Sequence, residues 1–331
     1  MNKPMKKIIF CAAGLACTIL VGYWYASAQS SNAIPDPRPR RFHQASNLPD
    51  LSGLVWLDGN RFLAVHDAKV EDEIGNPRVS LIELPANSKG VRWLDRTPNF
   101  HELPSNDLES VARIPGTQDV LLVESGDSLG EVGFQRIFKA RVIGNSVHIV
   151  ATSQWPVPIN NVEASAVVAL GPLFVFLFAE RAQNLSSTEL RWALFDPATL
   201  RFGSFASVTF ANPNPAAFNR PLVAMDVDND GQIYVAAAFD AEAAGLRDPD
   251  NGPFASAVYR IGVVTESLGT PTVQLFESPL LEGSMDGFKV ESIAIREDAE
   301  HGFQLFVGLD DENYGATLRF LPEPSQDVSH R

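Results

Sequence analysis

The chain has 331 residues, with 26 Lys plus Arg against 40 Asp plus Glu and a formal charge of −14. Its 45% hydrophobic and 9% aromatic content suits a folded globular protein, not a disordered or collagen-like chain. The acid surplus argues against nucleic-acid binding, which needs surplus cations to displace counterions from phosphates.

An export segment comes first. Lys3, Lys6 and Lys7 form a basic start, Ile8 to Tyr25 is uncharged and mostly apolar, and Ala26-Ser27-Ala28 is an A-x-A cleavage site. That order predicts a signal peptide over 1–28, cut before Gln29. The alternative is a retained anchor, with Tyr23, Trp24 and Tyr25 at the membrane interface. Either version exports the domain, to the periplasm or the medium, and the membrane is touched only through such an anchor. Cleavage removes Cys11 and Cys17, the only cysteines, and leaves 23 Lys plus Arg against 40 acids. The mature chain would then have no disulfide, thiol nucleophile or thiolate metal site. It must rely on a large core, for which about 300 residues suffice.

Residues 29–41 are polar and Pro-rich and predict a tether to a single domain over 42–324, followed by a tail over 325–331. Within the domain one pattern recurs. Asp50-Leu-Ser-Gly, Asp107-Leu-Glu-Ser, Asn161-Val-Glu-Ala, Leu222-Val-Ala-Met and Lys289-Val-Glu-Ser align on Ser52, Glu109, Glu163, Ala224 and Glu291, spaced 57, 54, 61 and 67 residues apart. Each copy continues into a turn and a β-rich run ending in an acid: RFLAVHD (61–67), DVLLVES (119–125), LFVFLFAE (173–180), QIYVAAAFD (232–240) and FQLFVGLDD (303–311). Two more alternating runs follow in most copies, such as QRIFKARV (135–142) and SVHIVATS (146–153). Four short strands per repeat make the meander of a propeller blade.

The expected fold is therefore all-β: a propeller of five four-stranded blades, with six as the alternative. The fifth copy shows three strands, the last at 316–321, and RRFHQAS (40–46) is expected to supply the fourth and close the ring. Closure removes the exposed sheet edges through which chains associate, so a monomer is expected.

In such a blade the start of the innermost strand and the end of the second emerge on one face. This gathers Glu109, Glu163 and Glu291, with Asp50 and Asp226, beside Asp67, Glu124, Glu180, Asp240 and Asp310. So many carboxylates require a counter-charge, and a hard divalent cation, Ca²⁺ first, is the candidate cofactor. The competing reading makes these acids solvated turn residues or partners of Arg113, Arg181, Lys69 or Lys289. His66, next to Asp67, has the chemistry of a general base, against a turn histidine. Asp226-Val-Asp228-Asn-Asp230-Gly231 matches half an EF-hand loop, but Ala237 stands where a bidentate Glu belongs, so a hairpin turn is favoured. Asn184-Leu-Ser186 matches a glycosylation acceptor, and 241–254 is a long loop placed to lid the channel.

The phrases DLSGLVWL…LAVHD, DLESVARI…LLVESGD, NVEASAVV…FLFAE and KVESIAI…LFVGLDDENYGATLRFL resemble those of exported bacterial phytase-like β-propellers, also described by an esterase-like activity of phytase. The likeness covers nearly the whole mature chain. It places Glu109, Glu163 and Glu291 on the family's repeated [DN]-x-E-G element. Ser110, Ala164 and Ser292 stand where that element has Gly, and Ala224 where it has Glu. The resemblance implies fold more strongly than chemistry. Two functions compete: a metal-dependent hydrolase taking a phosphoester or ester at the mouth, and a non-catalytic envelope propeller binding a small ligand, glycan or protein.

Overall fold

Short runs of alternating apolar residues, rich in Val, Phe and Leu and broken by turns, can bury one face only as antiparallel strands. The architecture follows that rule throughout a computed structural model. It describes residues 48–70, 76–84, 91–126, 134–247, 249–312 and 315–321. The expected signal peptide or anchor, the tether, the closing strand at 40–46 and the tail lie outside these residues.

The first blade is β1 (Gly53–Asp58), β2 (Arg61–Val65), β3 (Val79–Glu83) and β4 (Arg92–Asp95); the second is β5 (Leu108–Arg113), β6 (Asp119–Glu124), β7 (Arg136–Ile143) and β8 (Ser146–Gln154). The third holds β9 (Val162–Leu170), β10 (Leu173–Glu180) and β11 (Ser187–Asp196), and its outer edge is shared by β12 (Arg201–Phe202) and β13 (Ala206–Ala211). The fourth run of this blade is thus split in two. The fourth blade is β14 (Arg220–Val227), β15 (Gln232–Phe239), β16 (Ala255–Ser267) and β17 (Thr270–Asp286). The fifth shows β18 (Val290–Asp298), β19 (Gly302–Asp310) and β20 (Ala316–Leu321). Neighbours within each blade are antiparallel. Among the described residues the only helix is a single 3₁₀ turn at Pro249–Asn251, and no helix is long and apolar enough to cross a membrane.

The innermost strands close on themselves. β1 touches β5 and β18, β9 touches β5 and β14, and β14 touches β18. Five blades complete the ring, leaving no place for a sixth. The core is divided accordingly into five apolar clusters, each between two adjacent blades. At the seam between the last blade and the first, Phe62 and Phe306 meet edge to face with centroids 4.8 Å apart. There Ser292 Oγ donates to the Leu51 carbonyl at 2.9 Å, and Arg296 donates to the Gly59 carbonyl at 3.1 Å and to Asn60 Oδ1 at 2.9 Å. Near the axis the inner strands approach so closely that Gly53 has no room for a Cβ, which would lie 2.6 Å from Val65 Cγ2 and 2.9 Å from the Val111 nitrogen.

Candidate functional site

All five inner strands start at the same end of the ring, and in three blades the recurrent Glu sits at a break in pairing. Leu108 pairs with Glu124 and Ser110 with Val123, leaving Glu109 between them unpaired. Glu163 and Glu291 are skipped in the same way in β9 and β18. A β-bulge re-aims the side chain it carries, and here it turns a Glu from each of three blades to the channel mouth. Just before two of these bulges, Asp107 and Asn161 take left-handed backbone (φ 59° and 57°), which Asp and Asn tolerate better than other residues with a Cβ.

The fourth blade breaks the pattern with a charge reversal. Its register slips between Arg220 and Ala224, and Arg220 enters the mouth where a Glu was sought. The Arg220 guanidinium contacts Asp240 of its own blade and lies 3.2 Å from Glu291 of the next. Arg181 contacts Glu163 and comes within 4.0 Å of Glu109. Lys289 reaches Glu312 at 2.5 Å, Asp310 at 2.9 Å and Glu291 at 3.4 Å. On the side of blades three to five, cations are therefore built in.

The side of blades one and two differs. Oxygens of Asp67, Asp107 and Glu109 lie within 4.8 Å of one another. Ser125 Oγ donates to Asp107, and Lys69 Nζ stands 3.7 Å from it. Burial, then Glu163, Asp107 and Asp67, pushes the Glu109 carboxyl well above its ordinary range. Burial, with Asp310 and Asp107, raises Asp67 to about 6. Asp50 is raised to about 8 by burial and by Asp310, Asp67 and Glu312. At Asp310 burial is outweighed by Lys289 together with hydrogen bonds from the Glu312 N–H and Asp50, which hold it below the usual value. The mouth thus has one half crossed by three built-in cations and one where carboxylates outnumber the cations, Lys69 and Arg181, that reach them.

Asp50, Asp67, Glu109, Glu163, Glu291, Asp240 and Asp310 gather at the mouth as expected, whereas Glu124, Glu180 and Asp226 do not. The residues that lie across from the inner-strand starts are Ser125, Arg181 and Asp310, whose N–H groups donate to the carbonyls of Asp107, Asn161 and Lys289. Glu124 and Glu180 precede Ser125 and Arg181 by one residue, and a one-residue offset in a strand sends the side chain to the other face. Glu124, fully buried, takes Arg136 Nη2 at 2.5 Å and Nε at 3.0 Å, together with the N–H groups of Asn106 and Arg136. Glu180 accepts from the Asn160 N–H at 3.2 Å and faces Arg191 at 3.5 Å. Asp226 lies six residues along β14 from Arg220, at the opposite end of the channel.

His66 is not available as a base. Its Nδ1 bonds the Asp50 carbonyl, which can only accept, so the Ser80 hydroxyl donates to Nε2 at 2.8 Å. Burial lowers its pKa to about 4. The Asp228 turn behaves as an Asx turn: Oδ1 accepts from the N–H groups of Asp230 and Gln232 at 3.0 and 2.8 Å. Asn184 Nδ2, the glycosylation acceptor atom, donates to the Ala243 carbonyl at 3.2 Å and ties the loop after β15 to blade three.

Sequence reasoning missed Asp107 and Arg220. Asp107 heads one of the aligned repeats at the position of Asp50 and Asn161, so the signal was present. Arg220 could have been sought as the compensation for a repeat without its Glu.

The raised carboxyls make a pH prediction. Between an unfolded value near 3.8 and the folded values of about 6 and about 8, the folded protein holds protons that the unfolded chain has released, so stability falls as pH rises. His66, buried neutral, works oppositely between about 4 and 6.5, leaving pH 6.5 to 8 as the clean window. Without divalent cations, the urea midpoint is expected to fall across that window and to fall less steeply in Asp50→Asn. A flat or rising midpoint in the parent protein contradicts the electrostatics described.

No family model matches the chain, and no curated protein matches it. Among solved structures it is similar to an α-L-arabinofuranosidase from Clostridium thermocellum at 12% identity, covering 84% of this chain and 91% of that one with a TM-score of 0.45. It is also similar to an endo-arabinanase from Bacillus licheniformis at 14% identity, covering 86% and 98% with a TM-score of 0.46. A Bacillus subtilis arabinanase gives 12%, 85% and 97%, and 0.43. At such identities no residue role transfers. The resemblance to phytase-like proteins therefore stands at the level of a β-propeller, which the strand pairing establishes on its own.

Proposed function

We propose that this propeller is an exported hydrolase of phosphoester or ester bonds that works with a hard divalent cation, Ca²⁺ first, held by Asp67, Asp107 and Glu109. The observation that carries the reading is the convergence of these three carboxylates from two blades, with oxygens within 4.8 Å of one another. Their donor chemistry fits: all are oxygen ligands, as Ca²⁺ and Mg²⁺ require, and the charge they lack is the charge a dication brings. When bound, such an ion polarises a phosphoryl or carbonyl oxygen as a Lewis acid. Ser125 orients Asp107 through its hydrogen bond. Water attacks the phosphorus or carbonyl carbon as the bond to the leaving oxygen breaks, and Asp50, in the same mouth, is the group that would hand that oxygen its proton. Export is supported by the order of parts in residues 1–28 and is checked by cell fractionation.

The test is metal analysis of the purified protein, followed by assays on phosphomonoester and carboxylic ester substrates with and without chelator. About one dication per chain and a loss of roughly 100-fold or more in turnover on chelation are expected. Absence of both metal and turnover overturns the reading. Stoichiometric metal without turnover on either substrate class replaces it with the non-catalytic binding propeller, for which the built-in cations Arg181, Arg220 and Lys289 speak.

A further inference from the structure

The far end of the channel holds a second chemical environment. A cavity of about 270 Å³ opens there, lined from all five inner strands by Trp56, Arg113, Val167, Asp226 and Glu297 among others. Its volume lies just under the roughly 300–1,000 Å³ of sites that take drug-sized ligands, so its occupant is small.

Two opposite charges line this cavity without pairing. The Arg113 guanidinium lies 5.0 Å from the centre of the Trp56 ring. Among the described residues no acceptor takes a hydrogen bond from it and no carboxylate forms an ion pair with it. A guanidinium has five N–H donors and is costly to leave unsatisfied when half-buried. Burial accordingly lowers its pKa. Asp226 is the counterpart. Its two oxygens each accept one backbone N–H, from Val227 and Ile295, at 2.8 Å, which fixes the carboxylate on the wall and leaves lone pairs uncommitted. Among the described residues no cation forms an ion pair with it, and burial raises it to about 7. The other acids at the rim are occupied locally. Asp228 takes the Asp230 and Gln232 N–H groups and the Tyr234 hydroxyl, and Glu297 takes the Asn229 N–H.

An Arg and an Asp in one small cavity would gain by collapsing into an ion pair. Backbone N–H groups hold the Asp and an indole face holds the Arg, so they stay apart. A ligand carrying both charges fills that gap: its carboxylate takes the fork of Arg113 and its ammonium takes Asp226. We infer that the channel end opposite the acidic mouth is a binding site for a small zwitterion of the α-amino-acid class, with Arg113 and Asp226 as its two anchors and Trp56 as the wall between blades one and two. This site is independent of the hydrolytic reading and shares no residue with it.

Calorimetric titration of the full chain with the twenty common α-amino acids tests the inference. At least one is expected to bind, and Arg113→Gln and Asp226→Asn each to weaken it about tenfold or more. Glu109→Gln, at the other end, leaves the binding unchanged. On the unaltered protein, the N-acetyl and decarboxylated forms of the bound amino acid are expected to fail as competitors, a result that needs no variant to fold. The inference is overturned if no amino acid binds at up to about 10 mM, if either singly charged analogue competes equally, or if folded Arg113→Gln binds as well as its parent.

Discussion

Glu109→Gln is expected to give a protein that is more stable than its parent in chelator and that has lost about 100-fold or more of its cation-dependent turnover. The two effects share one cause. Glu109 is buried at a bulge beside Glu163, Asp107 and Asp67, and its ionised form is costly there without a counter-charge. The amide keeps the shape and removes the charge, which relieves the folded state by about 0.5–2 kcal/mol, the size of an ordinary single stabilising substitution. It also removes one of three anionic oxygen donors, so added Ca²⁺ should raise the melting temperature of the parent far more than that of the variant. Thermal unfolding with chelator and with Ca²⁺, beside the turnover assay, reads both effects. A variant less stable than the parent in chelator would mean that Glu109 is already compensated and that the mouth needs no cation.

Arg220→Met should act in the opposite direction, lowering stability by about 3–5 kcal/mol. Arg220 is 5% exposed and joins Asp240 to Glu291 across the boundary between blades four and five. Met fills much of the volume but leaves Asp240 without its guanidinium and Glu291 with Lys289 in place of two cations, and a buried charge that has lost its partner costs more than the pair was worth. Chemical unfolding of the variant beside its parent measures the loss as a shift of the urea midpoint. The double change Arg220→Met with Glu291→Gln should recover part of the loss, because it removes one of the two carboxylates that Arg220 had joined. A single variant within about 0.5 kcal/mol of the parent, where ordinary surface substitutions fall, would show the pairing to be idle.

These contrasts mark what the sequence could disclose. Repeat spacing and period-two alternation located nearly every strand, because strand faces are set locally by which residues are apolar. Glu109, Glu163 and Glu291 were found because a bulge recurring in three blades leaves a recurring letter. Glu124 and Glu180 were placed at the mouth because a terminal acid looks the same one residue earlier or later, while the fold reverses its direction with that single step. His66 carried the letter of a base, and only its two hydrogen-bond partners show that both nitrogens are occupied. The compensating cations were the least visible. Arg220 reaches Glu291 across 71 positions of sequence, a relation between blades that no local pattern encodes.

The seam between β1 and β18 has a consequence for how the chain comes to be folded. Hydrogen bonds there join residues as far as 241 positions apart, whereas the ladders within each blade link near neighbours. Loop closure must be met before such distant contacts contribute. The middle blades can therefore assemble as soon as their own residues are available, but the circle waits for the last segment of the chain. Until then the apolar flanks of the first and fourth blades stand open to other molecules. A chain that crosses a membrane end first would pass through that open stage after translocation, and a holding factor on the far side would act on those flanks.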